Sequence, residues 1–207
     1  MPPLEVKVWG DYACFTRPEQ KVERVSYHVM TPSAARGILE AVFWKPEFTW
    51  QVREIAVLKP IRFFSILRNE LQRKASPRSE QPFFIEDDRT QRHTLGLRDV
   101  AYVIRAEMAL RPHCPDDPAK YRDQFRRRLE RGQCFHRPAL GCREFAADFA
   151  PPEPDDRPVA LDIDLGLMLF DLEYRGASGP HEPRFFSASL NQGVLRVPQS
   201  LYGGRAS

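Results

Sequence analysis

Residues 100–132, VAYVIRAEMALRPHCPDDPAKYRDQFRRRLERG, set a strand directly before a helix. Val100, Tyr102, Ile104, Ala106, Met108 and Leu110 fall on alternate positions, the period of a strand with one face in a core. Asp117 and Pro118 then stand as N-cap and first helical residue. Tyr121, Phe125 and Leu129 recur at every fourth position, and Gly132 takes the place just past the end where helices favour glycine. The pattern predicts a helix from about 118 to 131 with one apolar stripe.

The preceding residues supply a matching set. Leu4, Val6 and Val8 alternate as a first strand closed by Gly10-Asp11. Thr31-Pro32-Ser33 caps a helix of about 32–44, with Ile38, Leu39 and Val42 at helical spacing and Pro46 forbidding continuation. From Phe48 to Leu58 a strand is expected, with a register break between the Trp50/Val52 pair and the Ile55/Val57 pair. Short β-like runs at 61–67 and 83–86 flank the polar stretch 68–82, which predicts a long hairpin at about 61–86. A short strand around Cys142 to Phe149 completes β-α-β-β-α-β. The expected fold class is therefore α+β, a ferredoxin-like (RRM-like) domain over 1–150. APPEPDDRP, from Ala150 to Pro158, reads as a boundary or exposed linker. Beyond it, β segments at 161–174, 184–190 and 193–197 predict a small antiparallel C-terminal appendage over 151–207, too slight to fold alone.

With 207 residues, 42% hydrophobic and 29% charged, the chain is large enough to bury a core without disulfides. Lys and Arg number 31 against 28 Asp and Glu, a net charge of +3 that identifies no partner. Of the 31, 25 are arginine, whose planar fork grips phosphate and stacks on bases, although a GC-rich genome also inflates arginine. Cys14, Cys114, Cys134 and Cys142 form no CxxC pair, so zinc and disulfide frameworks are not suggested, and a reducing cytoplasm fits best. The N-terminus lacks a signal-peptide pattern, and no run is long and apolar enough for a membrane span. Glu153, Asp155, Asp156, Asp162 and Asp164 cluster, but beside a Pro-rich segment that makes a metal site unexpected. Motifs for phosphate loops, dinucleotides, serine hydrolases and zinc proteases are missing, and no cofactor is implied.

The strongest local feature is charge. Between Ala119 and Pro138 lie seven cations (Lys120, Arg122, Arg126, Arg127, Arg128, Arg131 and Arg137) and two anions (Asp123 and Glu130). That local surplus exceeds the whole chain's. Arg122 and Arg126, four apart, are expected to share one flank that tracks a phosphate backbone. Tyr121, Phe135 and His136 stand beside the patch as candidates for stacking on unpaired bases, or as core.

Three blocks carry a resemblance: WGDYACFTRPE (9–19), ERVSYHVMTPSAARGILEAVFWKP (23–46) and FRRRLERGQCFHRPALGCREF (125–145). They are similar to the type I-C (Dvulg subtype) CRISPR-associated endoribonuclease family, the fifth Cas family, subtype d. The resemblance implies an RNA-binding ferredoxin-like domain that cleaves the 3′ base of the CRISPR repeat hairpin without metal. It further implies retention on the 5′ handle beside other type I-C interference-complex subunits, and leaves duplex nucleic acid open as a ligand. The family's catalytic tyrosine, just before Trp-Lys-Pro, falls on Phe43 here. Its Lys-His pair falls on Lys120 and Tyr121, so only the lysine is kept. Phe43 shapes the pocket without moving a proton. The expected roles are Lys120 as electrostatic stabiliser and Tyr121 as proton shuttle, with His28 or His136 as a substitute acid or base. Lys45, Arg122, Arg126, Arg127, Arg131, His136 and Arg137 are the expected RNA contacts, and Trp44 is read as a packing cap. Two other classes stay open: a non-catalytic scaffold capping the 5′ handle, and a general arginine-rich nucleic-acid binder.

Overall fold

A computed structural model describes residues 3–72, 84–112, 114, 117–174 and 181–203. The elements are β1 (Leu4–Ala13), α1 (Pro32–Val42), β2 (Phe48–Val57), β3 (Phe63–Leu71), the single turn α2 (Ile85–Asp88), β4 (Arg89–Leu110), α3 (Pro118–Glu130), β5 (Asp148–Ala150), β6 (Ile163–Tyr174), β7 (His181–Asn191) and β8 (Val194–Arg196). Every strand pair is antiparallel, in the order β5-β1-β4-β2-β8-β7-β6, with β3 added on β4. The protein is α+β, a curled antiparallel sheet carrying few helices. No helix among the described residues is long and apolar enough to cross a membrane.

Local chemistry starts and stops the helices where the sequence says. Thr31 Oγ1 accepts the Ala34 N–H at 3.3 Å, and Asp117 Oδ1 accepts the Ala119 N–H at 2.9 Å. Gly132 lies at φ +61°, and behind it the N–H groups of Gly132 and Gln133 return to the carbonyls of Leu129 and Arg128. That crossed pair satisfies two of the carbonyls a helix end leaves open. The register break expected in β2 is a bulge between Val52 and Glu54 against β4.

β4 is 22 residues long and serves two partnerships. Its first half pairs with β3, from Phe63 opposite Leu97 to Leu71 opposite Arg89, so the hairpin's return arm is 89–97 and not the run expected at 83–86, where Ile85–Asp88 form a helical turn. Its second half lies between β1 and β2. The tip expected at 68–82 falls, from residue 73 onward, outside the described residues.

Two expectations are corrected. The fourth strand, expected at 142–149, is only Asp148–Ala150. Ahead of it a loop is pinned by an Ala139–Ala146 bridge and by Gly141, at φ +87°, where a Cβ would sit 2.0 Å from the Cys14 carbonyl oxygen. The acidic segment after Ala150 is also no free linker. Lys7 pairs with Asp156 at 2.6 Å, and the Val159 N–H donates to Val57 O at 2.9 Å. Because β4 lies between β1 and β2, the segment crosses the sheet as a strap. Ala101 and Val103, whose side chains face that way, are buried.

The opposite face carries the core. Leu4, Val6, Val8, Trp50, Val52, Tyr102, Ile104 and Ala106 are buried there with residues of α1 and α3. The C-terminal strands extend the same sheet through β2–β8 pairing, and β6 curls back onto α1. The Leu169 N–H donates to the Tyr27 hydroxyl at 3.1 Å, and Arg36 of α1 grips Asp171 with two bonds of 2.7 and 2.8 Å. Such paired charge-assisted bonds are the stronger kind. Arg36→Met is expected to lower unfolding free energy in urea titrations by about 1–3 kcal/mol. The same change in an Asp171→Asn background should cost less, and equal losses would show that the pair does not couple β6 to α1.

Candidate nucleic-acid interface

Five aromatic residues join α1, β2 and α3. Phe43, the C-cap of α1, lies 5.6 Å from Phe48 between ring centroids, and Phe48 lies 5.6 Å from both Trp50 and Tyr121. Trp50 meets Phe125 edge-on at 4.9 Å. The Trp50 indole N–H donates to the Phe43 carbonyl at 2.9 Å. The fold thus gathers Phe43 and Tyr121, far apart in sequence, around Phe48. Both are buried, at 1% and 2% exposure. The Tyr121 hydroxyl lies 3.7 Å from Cys114 Sγ.

Lys120 is exposed, with its ammonium 5.6 Å from the centre of the Tyr121 ring. The 44–47 turn is tied to the end of β4 by the Arg111 N–H bond to Glu47 O, at 2.9 Å. Lys45 and Trp44 are exposed on this turn, so Trp44 is not the packing cap expected of it. Arg126, Arg127 and Arg131 are exposed on α3. Arg122, four residues before Arg126, is buried rather than open to a ligand: it is 7% exposed, and burial, then the charge of Arg126, pulls its pKa down. Arg128 is half-buried, its guanidinium 5.9 Å from the Phe43 ring centre.

Past the far end of α3 the chain turns back, and the Phe135 N–H donates to Ala41 O at 2.7 Å. Phe135 is 84% exposed and meets His136 edge-on at 5.8 Å. Arg137 pairs with Asp148 at 3.1 Å, both exposed. A helix of this length measures about 20 Å. The predicted residues therefore separate into a Lys120 end and a His136 end, joined by arginines. His28 belongs to neither. It lies against Phe63 and lines a small hollow with Lys59 and Arg62. Burial, then the Arg17 charge, holds its imidazole below the ordinary histidine range.

A cleft of about 890 Å³ opens beside the His136 end. Its walls come from α1 (Ala34, Gly37, Ala41), the 135–143 loop and Leu169 of β6, and its lining includes Cys14 and Cys142. Cys14 Sγ and Cys142 Sγ share Thr16 Oγ1, at 3.5 and 3.8 Å. The neighbouring Cys14 side chain, aided by Thr16 and Arg24, holds Cys142 below the ordinary thiol range, while Cys14 is pushed up. Sequence reading missed this pair and Arg143, because the contact joins residues far apart in the chain and no motif marks it. Among the described residues, no group of three or more His, Cys, Asp or Glu could hold a metal ion. Of the clustered carboxylates, Asp156 is engaged by Lys7, and Asp162 accepts from both the backbone and side-chain nitrogens of Gln192.

The curled antiparallel sheet with its few helices is a fold already represented among solved structures. One, described as a CRISPR-associated protein, superposes with a TM-score of 0.70 at 25% identity, covering 95% of this chain and 91% of that one. The family model for Cas5d, described as CRISPR-associated protein (Cas_Cas5), matches residues 3–198, and the chain belongs to that family. A relative from Thermus thermophilus is 50% identical, over 96% of this chain and 93% of its own. Another, from Mannheimia succiniciproducens, is 46% identical over 94% of each. Both bear the name CRISPR pre-crRNA endoribonuclease Cas5d.

The thiol pair makes a pH prediction. The thiolate is the form that alkylates, so Cys142 should react with iodoacetamide at a pH where ordinary thiols are inert, and lose reactivity as pH falls through its lowered pKa. Cys14→Ala removes that neighbouring thiol and should shift the rate profile to higher pH. An unmoved profile would refute the coupling.

Proposed function

We propose that this chain matures type I-C CRISPR RNA as a metal-independent endoribonuclease, cutting at the 3′ base of the repeat hairpin. It then stays on the 5′ handle as an interference-complex subunit in the cytoplasm. The observation that carries this reading is Lys120, exposed on the Tyr121 ring at the head of an arginine-bearing helix. It sits in a chain about half identical, end to end, to proteins named pre-crRNA endoribonucleases. The strand order β5-β1-β4-β2, with α1 and α3 in the connections, supports the ferredoxin-like reading of 1–150, with β6–β8 as its appendage.

The chemistry needs no group from outside the RNA and protein. The 2′-oxygen bonds to phosphorus as the bond to O5′ breaks. A base takes the 2′-hydroxyl proton and a donor protonates O5′, leaving a 2′,3′-cyclic phosphate and a 5′-hydroxyl. Charge builds on the phosphorane oxygens, and the Lys120 ammonium offsets it. Buried as it is, Tyr121 is suited to holding Lys120 rather than exchanging protons with RNA. Phe43, equally buried, packs on the same Phe48 ring. Arg126, Arg127 and Arg131 run from this end toward His136 and Arg137, a length of cation suited to the repeat's phosphates.

One assay decides between enzyme and scaffold. In EDTA, the purified protein should cleave its cognate repeat hairpin but not the same RNA with a 2′-deoxy nucleotide at the cleavage site. Tight binding without product would favour the scaffold, a reading kept alive by the burial of Phe43 and Tyr121. Lys120→Ala should slow single-turnover cleavage by roughly 100-fold or more with repeat binding mostly intact. Unchanged rates would remove the role given to Lys120. Phe43→Tyr is expected to accelerate turnover.

A further inference from the structure

We infer that the cleft between α1 and the 135–143 loop is a seat for one unpaired nucleotide of the repeat RNA, with its base on Phe135 and its phosphate on Arg137 and Arg143. This rests on the proposed RNA-processing reading, and extends it to a second contact beyond the Lys120 end.

Three observations converge on that ligand. The volume, about 890 Å³, lies within the range of small-ligand pockets, about 300–1,000 Å³. The lining carries Arg137, Arg143 and His136 and no Asp or Glu, in a chain with 28 acidic residues. Its charge thus suits an anion, with Asp148 as the group a phosphate would displace from Arg137. Phe135, finally, is the most exposed large apolar side chain among the described residues, yet its backbone is fixed by the Ala41 carbonyl. An exposed ring on a pinned backbone is a stacking platform that loses little freedom on binding. On the α1 wall Gly37 leaves open space, since a Cβ there would meet nothing within 4 Å.

The site also predicts a signal from Cys142. A phosphate bound nearby opposes the Cys142 thiolate and covers it, so nucleotide occupancy should slow its alkylation.

The experiment compares wild type, Phe135→Ala and Phe135→Trp on two cognate RNAs, one with its unpaired flanks and one trimmed to the hairpin. 2-Aminopurine is placed at each unpaired position in turn. In wild type, one position should be quenched on binding, and Cys142 should be protected by the flanked RNA only. Phe135→Ala should lose the quench and bind the flanked RNA about ten-fold more weakly, since one stacked base is worth on that order. Binding of the trimmed hairpin should not change, and Phe135→Trp should restore both signals. The inference falls if no position is quenched in wild type, or if Phe135→Ala binds both RNAs as wild type does. It falls equally if the loss is the same on both RNAs, or if an acidic peptide protects Cys142 and RNA does not. In each case continued cleavage by the wild type leaves the nuclease reading standing, whereas a wild type that neither binds nor cuts any repeat RNA overturns both.

Discussion

The carbonyl of Phe43 closes α1 inside the core, and the Trp50 indole N–H meets it there at 2.9 Å. A helix end buried without a partner for its last carbonyls would cost about 1–3 kcal/mol for each group left bare. That one bond fixes the end of α1 on β2, and the strand then sets everything beside it. Phe48, two residues before Trp50, holds Tyr121, and Trp50 itself holds Phe125. The register of α3 along β2 follows, and so does the placement of Lys120 at one end of the helix. At the other end Phe135 returns to Ala41 of the same α1. Packing at a single helix terminus thus spaces the two ends of the candidate interface.

Charge is divided between the two sides of the sheet. On the face away from the helices, Arg105 bonds Glu5 and Glu54 at 2.6 and 2.9 Å, and Arg53 bonds Glu107 at 2.7 Å. The acidic strap crosses that side and pairs with Lys7. An open sheet face is a common platform for single-stranded RNA. Here its charges are paired with one another beneath the strap, whereas Arg126, Arg127 and Arg131 at α3 are exposed. The modest net charge of +3 is the sum of these unlike surfaces.

Where a feature depends on neighbours in sequence, the sequence shows it: both N-caps, the Gly132 helix stop, the β2 bulge and the alternation in β4 all rest on contacts within a few residues. The misreadings share the opposite origin. Nothing local in 150–158 distinguishes a strap from a linker, since its fastening to Lys7 and Val57 is made across the fold. Arg122 reads as surface because arginine nearly always is. The Cys14–Cys142 pair joins the first strand to the loop before β5. Tyr121 shows the two kinds of signal side by side: its stripe position announced a core residue, the resemblance put it in the chemistry, and the fold buries it beside the exposed Lys120.

Phenylalanine at position 43 changes what the neighbouring arginine requires. Arg128 lays its guanidinium 5.9 Å from the Phe43 ring centre, and a π face attracts that cation. It offers no oxygen, however, and Arg128 Nε is buried with no hydrogen-bond partner. A donor held in that state is destabilising until an acceptor arrives. Among the described residues the protein supplies none there. In the proposed reading, Phe43 in place of the family's tyrosine leaves that donor beside a ring with no hydroxyl to take or give a proton, and charge stabilisation is the role given to Lys120.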